Sequence, residues 1–374
     1  MIKAAYKRIV IKLGTSTLTG GTPNLSPPRI VDIIRQIAHI HADGREIILV
    51  SSGAMAAGRE VLDFPQLPKQ IPAKQMLAAV GQPRLINLYA QLFDLYGLKV
   101  AQILLTRSDM ENRRSYLNAR NTLQALLEQK VIPIINENDT IATEEIRVGD
   151  NDNLSAQVAS LMEADLLLML TDQAGIFTAD PRSDPHARRI KVISEAEIPP
   201  EIWEAAGGTR NNLGTGGMVT KLQAAELARR TGSTVVVARG SDQDIILKVM
   251  QNDDTGTWFL PVGTALESRK RFILMSGTYD SGSITIDDGA VRALRDGGSL
   301  LPIGVHGMVG GFERGDIIKV KDLNGKEIAR GLTNYSSQQL EVIAGYHSQM
   351  IESLLGYMYS EEVIHHNDLV LVGS

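Results

Sequence analysis

Short, largely unbroken apolar runs punctuate the first 240 or so positions: RIVIKLG (8–14), REIILVSS (45–52), KVAQILLT (99–106), VIPIINE (131–137), DLLLMLTD (165–172) and STVVVAR (233–239). A strand with one wet face alternates apolar and polar residues. A run that is apolar at nearly every position suits a strand covered on both faces, as in a parallel sheet. Between the runs the spacing changes to three and four. In PPRIVDIIRQIAHIHADG, Ile30, Ile33, Ile34, Ile37 and Ile40 form one stripe, with Pro28 near the start and Gly44 past the end, which predicts an amphipathic helix. NLYAQLFDLYG (87–97), YLNARNTLQALLEQK (116–130), NLSAQVASLMEAD (153–165) and MVTKLQAAELARRTG (218–232) follow the same pattern. Alternating strands and helices predict an α/β fold: a three-layer sandwich with a mainly parallel central sheet and right-handed crossovers.

From about Thr257 the pattern changes. TWFLPVGTALESRKR (257–271) combines Pro, Gly and a basic run and reads as linker-like; beyond it come short alternating strands such as GSITIDDGA and GDIIKVKDLNGKEIARG. The LNGKE turn between IIKV and EIARG is a hairpin signal. A length of 374 residues also suits two domains. The expected division is a first domain at 1–262, a linker at 263–280 and a small β-rich domain at 281–374.

Composition narrows the chemistry. At 43% hydrophobic and 22% charged, with a net charge of −5, the chain gives no global reason to expect nucleic-acid or membrane binding. The absence of cysteine excludes a disulfide scaffold, a thiolate metal site and a Cys nucleophile, and fits a reducing cytoplasm. The opening MIKAAYKRIVIKLGTS reads as neither a signal peptide nor a span, and no other segment reaches membrane-spanning length.

Ligands of open α/β sheets sit outside the carboxyl ends of the strands. Here those ends read Lys12-Leu13-Gly14, Ser51-Ser52-Gly53, Asn136-Glu137-Asn138-Asp139 and Thr171-Asp172, and all are polar or Gly-rich. A lysine that ends a buried strand needs an anionic partner, and Gly14, Thr15 and Ser16 after Lys12 could line a phosphate. Further on, Gly214, Gly216 and Gly217 precede a helix whose first turn carries Lys221. Glycines let backbone N–H groups approach an anion, and a lysine adds a point charge. The spacing is not that of a Walker A loop; read alone, an ordinary loop and cap serves equally well. The cluster Asn136 to Asp139 and the cluster Asp150 to Asn153 could bind an amino acid's ammonium and carboxylate, position lysines, or hold a metal. They could also be a strand-end turn and, at Asn153, a helix cap. The histidines fall at none of these strand ends, and no Ser–His–Asp or H-E-x-x-H pattern is present.

Taken together and in order, IVIKLGTSTLTGG, VSSGAMAAGRE, KQMLAAVGQPRLI, LLTRSDM, LNARNTL, INENDT, VGDNDNLSA, LLTDQAGIFTADPR and GTGGMVTKLQAA resemble the glutamate 5-kinases of the amino acid kinase family. The segment from GSITIDDGA to GDIIKV is similar to a PUA domain. The resemblance implies the amino acid kinase fold and ATP-dependent phosphorylation of the γ-carboxylate of L-glutamate, the first step of proline biosynthesis. It implies Mg²⁺ with ATP as co-substrate, feedback inhibition by L-proline, a homo-oligomer, and functional coupling to the next enzyme, glutamate-5-semialdehyde dehydrogenase. Carried over position by position, Lys12, Lys221 and Asp152 are expected to be catalytic. Lys12, Thr171, Asp172, Thr215, Gly216, Gly217, Met218, Val219, Thr220 and Lys221 are expected to hold ATP, and Ser52, Asn136, Asp139 and Asn151 to hold glutamate. No residue is assigned as a direct metal ligand. Val219 departs from the family pattern, which often places a hydroxyl there. IATEEIRVG (141–149), with Glu144, Glu145 and Arg147, reads as a polar flap able to close over the ligand or as an ordinary surface loop.

Two other readings share some of these features. One is a different amino acid kinase, of the carbamate kinase or aspartokinase type. The other is an RNA-binding protein, since PUA domains elsewhere bind RNA. Residues 281–374 carry seven Lys and Arg against twelve Asp and Glu, an acidic balance that argues against a nucleic-acid surface.

Overall fold

The computed structural model describes residues 6–68, 70–142, 150–181, 183–207, 217–264, 273 and 282–372, the side chain of Asp150 excepted. The chain divides into two compact units, 1–111 with 118–265, and 112–117 with 266–374. The elements up to residue 259 are, in chain order, β1 (Arg8–Leu13), α1 (Thr15–Thr19), α2 (Pro27–Ala42), β2 (Glu46–Ser51), α3 (Ala54–Val61), α4 (Ile71–Asp94), β3 (Val100–Leu105), α5 (Arg107–Glu111), α6 (Arg113–Glu128), β4 (Ile132–Glu137), α7 (Asp150–Leu161), β5 (Leu166–Thr171), β6 (Val192–Ile193), α8 (Pro200–Ala205), α9 (Met218–Arg230), β7 (Thr234–Arg239), α10 (Ile245–Met250) and β8 (Thr257–Phe259).

The strands form one eight-stranded sheet in the order β3-β4-β2-β1-β5-β7-β8-β6. All pairs are parallel except β7 with β8. β1 lies between β2 and β5, so the chain winds outward from it in both directions. That is the switch point at which open α/β sheets leave a crevice at their carboxyl edge. Side chains alternate across the sheet. Ile9, Ile11 and Leu13 of β1 join Ile47, Leu49, Leu166, Leu168 and Leu170 in a core with α2 and α4. Val10 and Lys12 therefore face the other side, where α7 packs on β1, β2, β4 and β5, and α9 packs on α7 and β7. Lys12 enters that layer as a charged residue in an otherwise apolar strand.

The three-layer sandwich with a mainly parallel sheet is as expected, with local corrections. KVAQILLT does form β3, but at the edge of the sheet. Gln102 and Leu104 are accordingly exposed. Thr257–Phe259, read as the start of a linker-like stretch, is strand β8, because a buried Trp-Phe pair is worth more against β7 than in solvent. The helix expected at 87–97 is the second half of α4. Gly81 and Pro83 near its middle hide the helical pattern of the earlier part. Gly81 has a specific reason: a Cβ there would stand 1.8 Å from the carbonyl oxygen of Ala54. Helices α3 and α4 are thus in backbone contact at this point. Asn153 is not a cap, since α7 begins at Asp150 and Asn153 lies in its first turn.

In the second unit, β9 (Ser283–Ile286), β10 (Val305–Val309), β11 (Ile317–Lys321), β12 (Glu327–Leu332) and β13 (Leu369–Leu371) form a sheet in the order β10-β9-β11-β12-β13. β11 and β12 are the expected hairpin. Its turn is closed by Asp322 N–H donating to the Lys326 carbonyl and Gly325 N–H to the Asp322 carbonyl. The core holds Ile284, Ile286, Val320, Tyr335, Leu340 and Ile364, separate from the core of the first sheet. Of the expected linker 263–280, only residues 263, 264 and 273 are described, and Ile273 packs on Ile317 and Val370 of the second unit.

Candidate active site

Strand register brings the site together. Leu13 is level with Ser51 on one side and Leu170 on the other, and Val50 is level with Ile135. The residues that follow, Gly14, Ser52, Asn136 and Thr171, therefore emerge along one edge. Helix α7 begins over this edge, and its first turn carries Asn151 and Asp152 side by side.

Asp152 is 1% exposed and Lys12 5% exposed, so their charges must satisfy one another. Lys12 Nζ lies 2.6 Å from Asp152 Oδ1. On the other carboxylate oxygen, Lys221 Nζ lies at 3.2 Å and the Thr220 hydroxyl donates at 2.8 Å. One buried carboxylate thus holds two ammonium groups delivered by different elements, β1 and α9. Burial alone would raise the Asp152 pKa. Lys12 and Lys221 more than offset this and hold the carboxyl below its usual range. Burial pulls the Lys12 ammonium below its usual value. Asp152 opposes that pull, and the nearby Lys221 charge adds to it. The assembly has one negative and two positive charges, a net cation at the carboxyl edge of the sheet.

Gly217 starts α9 with φ +98° and ψ −143°, a conformation that side-chain-bearing residues avoid. Its carbonyl accepts from the Thr220 hydroxyl at 3.0 Å and from Lys221 Nζ at 3.3 Å, which fixes the first turn of the helix. Val219 is buried and supplies packing, as its apolar side chain requires. The hydroxyl at the next position, Thr220, is turned onto Asp152. Thr171 is buried and its hydroxyl donates to Asp172 Oδ1 at 2.9 Å, while Asp172 is exposed. Gly14 leaves room beside the lysine: a Cβ there would be 3.6 Å from Lys12 Nζ. Gly214, Thr215 and Gly216 lie outside the described residues, as do Glu144, Glu145 and Arg147 of the expected flap.

Apart from Asp139, the second group is uncharged. Asn151 Nδ2 donates to Ser52 Oγ at 3.2 Å and to Asn136 Oδ1 at 3.0 Å. Asn136, 2% exposed, donates from Nδ2 to Gln82 Oε1 at 2.8 Å and accepts at Oδ1 from the Glu137 backbone N–H at 2.9 Å. Asp139 is half-buried in the turn after β4. Ser52, Asn136 and Asn151 are therefore brought together as the sequence suggested. Gln82 was missed. Its signal was present: it falls on the same face of α4 as Ala78, Leu85 and Tyr89, all buried, and a polar residue within an apolar stripe calls for a partner.

Among the described residues, no group of three or more His, Cys, Asp or Glu side chains could hold a metal ion. The arrangement offers two lysines for anionic oxygens, and beside them a pocket wall of amide and hydroxyl groups for a small polar molecule.

Comparison with known proteins gives a consistent picture. The amino acid kinase family model matches residues 7–239 and the PUA domain model matches residues 282–355. The chain is 52% identical over 370 residues to a glutamate 5-kinase of Shewanella oneidensis, covering 98% of each. It is 50% identical over 364 residues to a glutamate 5-kinase of Yersinia enterocolitica, covering 97% of this chain and 98% of the relative. Among solved structures, the UMP kinase of Bacillus anthracis aligns with TM-score 0.47 and 16% identity over 69% of this chain and 97% of that one.

Proposed function

This chain belongs to the amino acid kinase family, and within it to the glutamate 5-kinases carrying a PUA domain; on that premise we propose how its site performs their reaction. The enzyme transfers the γ-phosphoryl group of ATP to the γ-carboxylate of L-glutamate, giving L-glutamyl 5-phosphate for proline biosynthesis. The observation that carries the mechanism is the buried Lys12–Asp152–Lys221 cluster. A carboxylate is already a nucleophile, so the reaction needs no strong base. It needs two anions brought together and the charge of the transferring group neutralised. Lys12 and Lys221 supply that neutralisation, and Asp152 holds them in place before ATP arrives. Thr171, Asp172 and the residues from Thr215 to Lys221 hold the nucleotide. Ser52, Asn136, Asp139 and Asn151 hold glutamate.

The two subsites meet at consecutive residues of one helical turn. Asn151 belongs to the amide network, and Asp152 to the lysines. Successive residues of a helix point about 100° apart, so one turn can face donor and acceptor at once. We propose Mg²⁺ as the metal. Its fit is with the nucleotide, because both Asp152 oxygens already serve ammonium and hydroxyl groups. Bound with ATP, it would add to the neutralisation of the phosphate charge.

We further propose that proline competes with glutamate, that the enzyme works as a homo-oligomer in the cytoplasm, and that it is coupled to glutamate-5-semialdehyde dehydrogenase. No described helix is long and apolar enough to cross a membrane. Proline shares glutamate's α-carboxylate and a charged amine but lacks the γ-carboxylate, so groups that grip the shared part can hold either. The test of the main reading is to incubate the purified enzyme with MgATP and hydroxylamine, which traps an acyl phosphate as a hydroxamate. Glutamate should yield hydroxamate and ADP; aspartate and carbamate should not stimulate ADP release. Stimulation by aspartate or carbamate in preference to glutamate would overturn it, and chelation that leaves turnover intact would remove the metal.

A further inference from the structure

The amide network around Asn136 has a direction, and one backbone group sets it. The Glu137 N–H can only donate, so the Asn136 side-chain atom facing it at 2.9 Å must be the oxygen. Asn136 Nδ2 then faces Gln82, whose facing atom must be its oxygen, at 2.8 Å. The same Asn136 oxygen faces Asn151 at 3.0 Å, so the Asn151 atom there must be nitrogen. That nitrogen also donates to the Ser52 hydroxyl oxygen, which leaves the Ser52 hydrogen to be given elsewhere. The result at the far end is an acceptor: Asn151 Oδ1 is buried, and no described residue donates to it.

We propose that Gln82 is a positioning residue for the substrate. By accepting from Asn136 Nδ2, it holds in place the chain Gln82–Asn136–Asn151, whose polarity the Glu137 N–H sets, so that Asn151 Oδ1 is presented to a cationic N–H group and the Ser52 hydroxyl to an anionic oxygen. Those are the complements of the ammonium and a carboxylate of an amino acid. The assignment rests on glutamate as substrate, and it specifies which group Asn151 serves: the ammonium rather than a carboxylate. The position of Gln82 is itself fixed. It follows Gly81, where α4 touches the backbone of α3, and α3 begins two residues after Ser52. An error in Gln82 is therefore transmitted through Asn136 without disturbing the lysine cluster, which uses Asp152.

The experiment compares L-glutamate with glutarate, which keeps both carboxylates and lacks the ammonium. Glutamate KM, ATP KM and the inhibition constant of glutarate are measured for the wild type, Gln82→Met and Gln82→Glu. Loss of one charge-assisted hydrogen bond weakens binding by roughly 10-fold or more. Gln82→Met, which removes the acceptor at similar length, should raise glutamate KM by about that factor, with glutarate inhibition and ATP KM within about twofold of wild type. Gln82→Glu still accepts from Asn136 and should keep most of the preference for glutamate. If Gln82→Met does not fold, Gln82→Lys supplies the contrast, because it can only donate. Equal weakening of glutamate and glutarate by Gln82→Met, or equal damage from Glu and Met (Glu and Lys where Met does not fold), would overturn the assignment. A wild type that does not phosphorylate glutamate fails earlier and removes the functional reading itself.

Discussion

Replacing Asp152 with Asn keeps its shape and removes its charge. In the native site both carboxylate oxygens face cations: Oδ1 is ion-paired with Lys12 at 2.6 Å, and Oδ2 accepts from Lys221 at 3.2 Å and from the Thr220 hydroxyl at 2.8 Å. An amide has one accepting atom. Whichever way it turns, its NH₂ group faces an ammonium. Removing one partner from a buried ion pair costs about 3–5 kcal/mol. For a domain of this size that lowers Tm by roughly 6–20 °C, at about 2–4 °C per kcal/mol. The cost depends on pH at both ends. The Asp152 pKa is depressed in the folded state, so its contribution is complete above the ordinary carboxylate range and is lost as pH falls through the lowered value. Lys12 is depressed by burial even with Asp152 present, and more so without it. Stability of the variant should therefore recover as pH rises from that lowered value towards the ordinary lysine range. The Tm gap between wild type and Asp152→Asn should be widest near neutrality and narrow in both acid and alkali. Activity falls independently of stability, because the lysines lose their common anchor. A decrease in kcat/KM of about 100-fold or more is expected for lost electrostatic organisation. The assays are thermal denaturation across pH and hydroxamate formation at a temperature where the variant is folded. A variant within about 2 °C of wild type at pH 7 and within tenfold in kcat/KM would refute the role given to Asp152.

Four further outcomes follow from the same geometry. Lys12→Ala or Lys221→Ala should lower kcat/KM by about 100-fold or more with the fold retained, as read by circular dichroism and ADP release; near-normal turnover by Lys221→Ala would remove it from the phosphate site. Asp139→Ala should raise glutamate KM far more than ATP KM, and equal effects on both would mean that it does not contact substrate. A chain ending near Val262 should keep kinase activity, since it retains every strand of the eight-stranded sheet, the last of which ends at Phe259; a folded but inactive truncation would contradict this. Glutamate titrations at fixed proline should relieve inhibition while ATP titrations do not, and inhibition that survives saturating glutamate would place proline elsewhere.

Much of the first unit was legible because parallel strands buried on two faces have no reason to alternate. Their apolar runs end where polar residues begin, and those ends are where a ligand sits. Lys12 stood out because its charge interrupts such a run. Two features resisted for physical reasons. Helix α4 was recognised only from residue 87, because its earlier half packs by backbone proximity through Gly81 rather than by a stripe of large apolar side chains. The purpose of Thr220 was hidden because a hydroxyl in a helix's first turn serves equally well as a local cap or a distant partner; only the fold places Asp152 opposite it. Gln82 stood out by its polarity among the buried Ala78, Leu85 and Tyr89, but its partner lies 54 positions away and only the fold names it.

The adjacency of Asn151 and Asp152 bears on how the site divides its labour. A kinase for a carboxylate must bring two anions together, and positive charge at the transferring phosphoryl group lowers the cost of doing so. Here Asp152 draws both lysines to one side of the turn. On the other side, Ser52, Asn136 and Gln82 are uncharged and joined by hydrogen bonds of fixed direction. Asp139 aside, this wall recognises an amino acid by the placement of donors and acceptors rather than by net charge. Mutations in the amide chain should therefore change which small molecule is accepted, whereas mutations in the lysine cluster should change how fast any acceptor is phosphorylated. A single helical turn keeps these two properties separable while holding their reacting groups together.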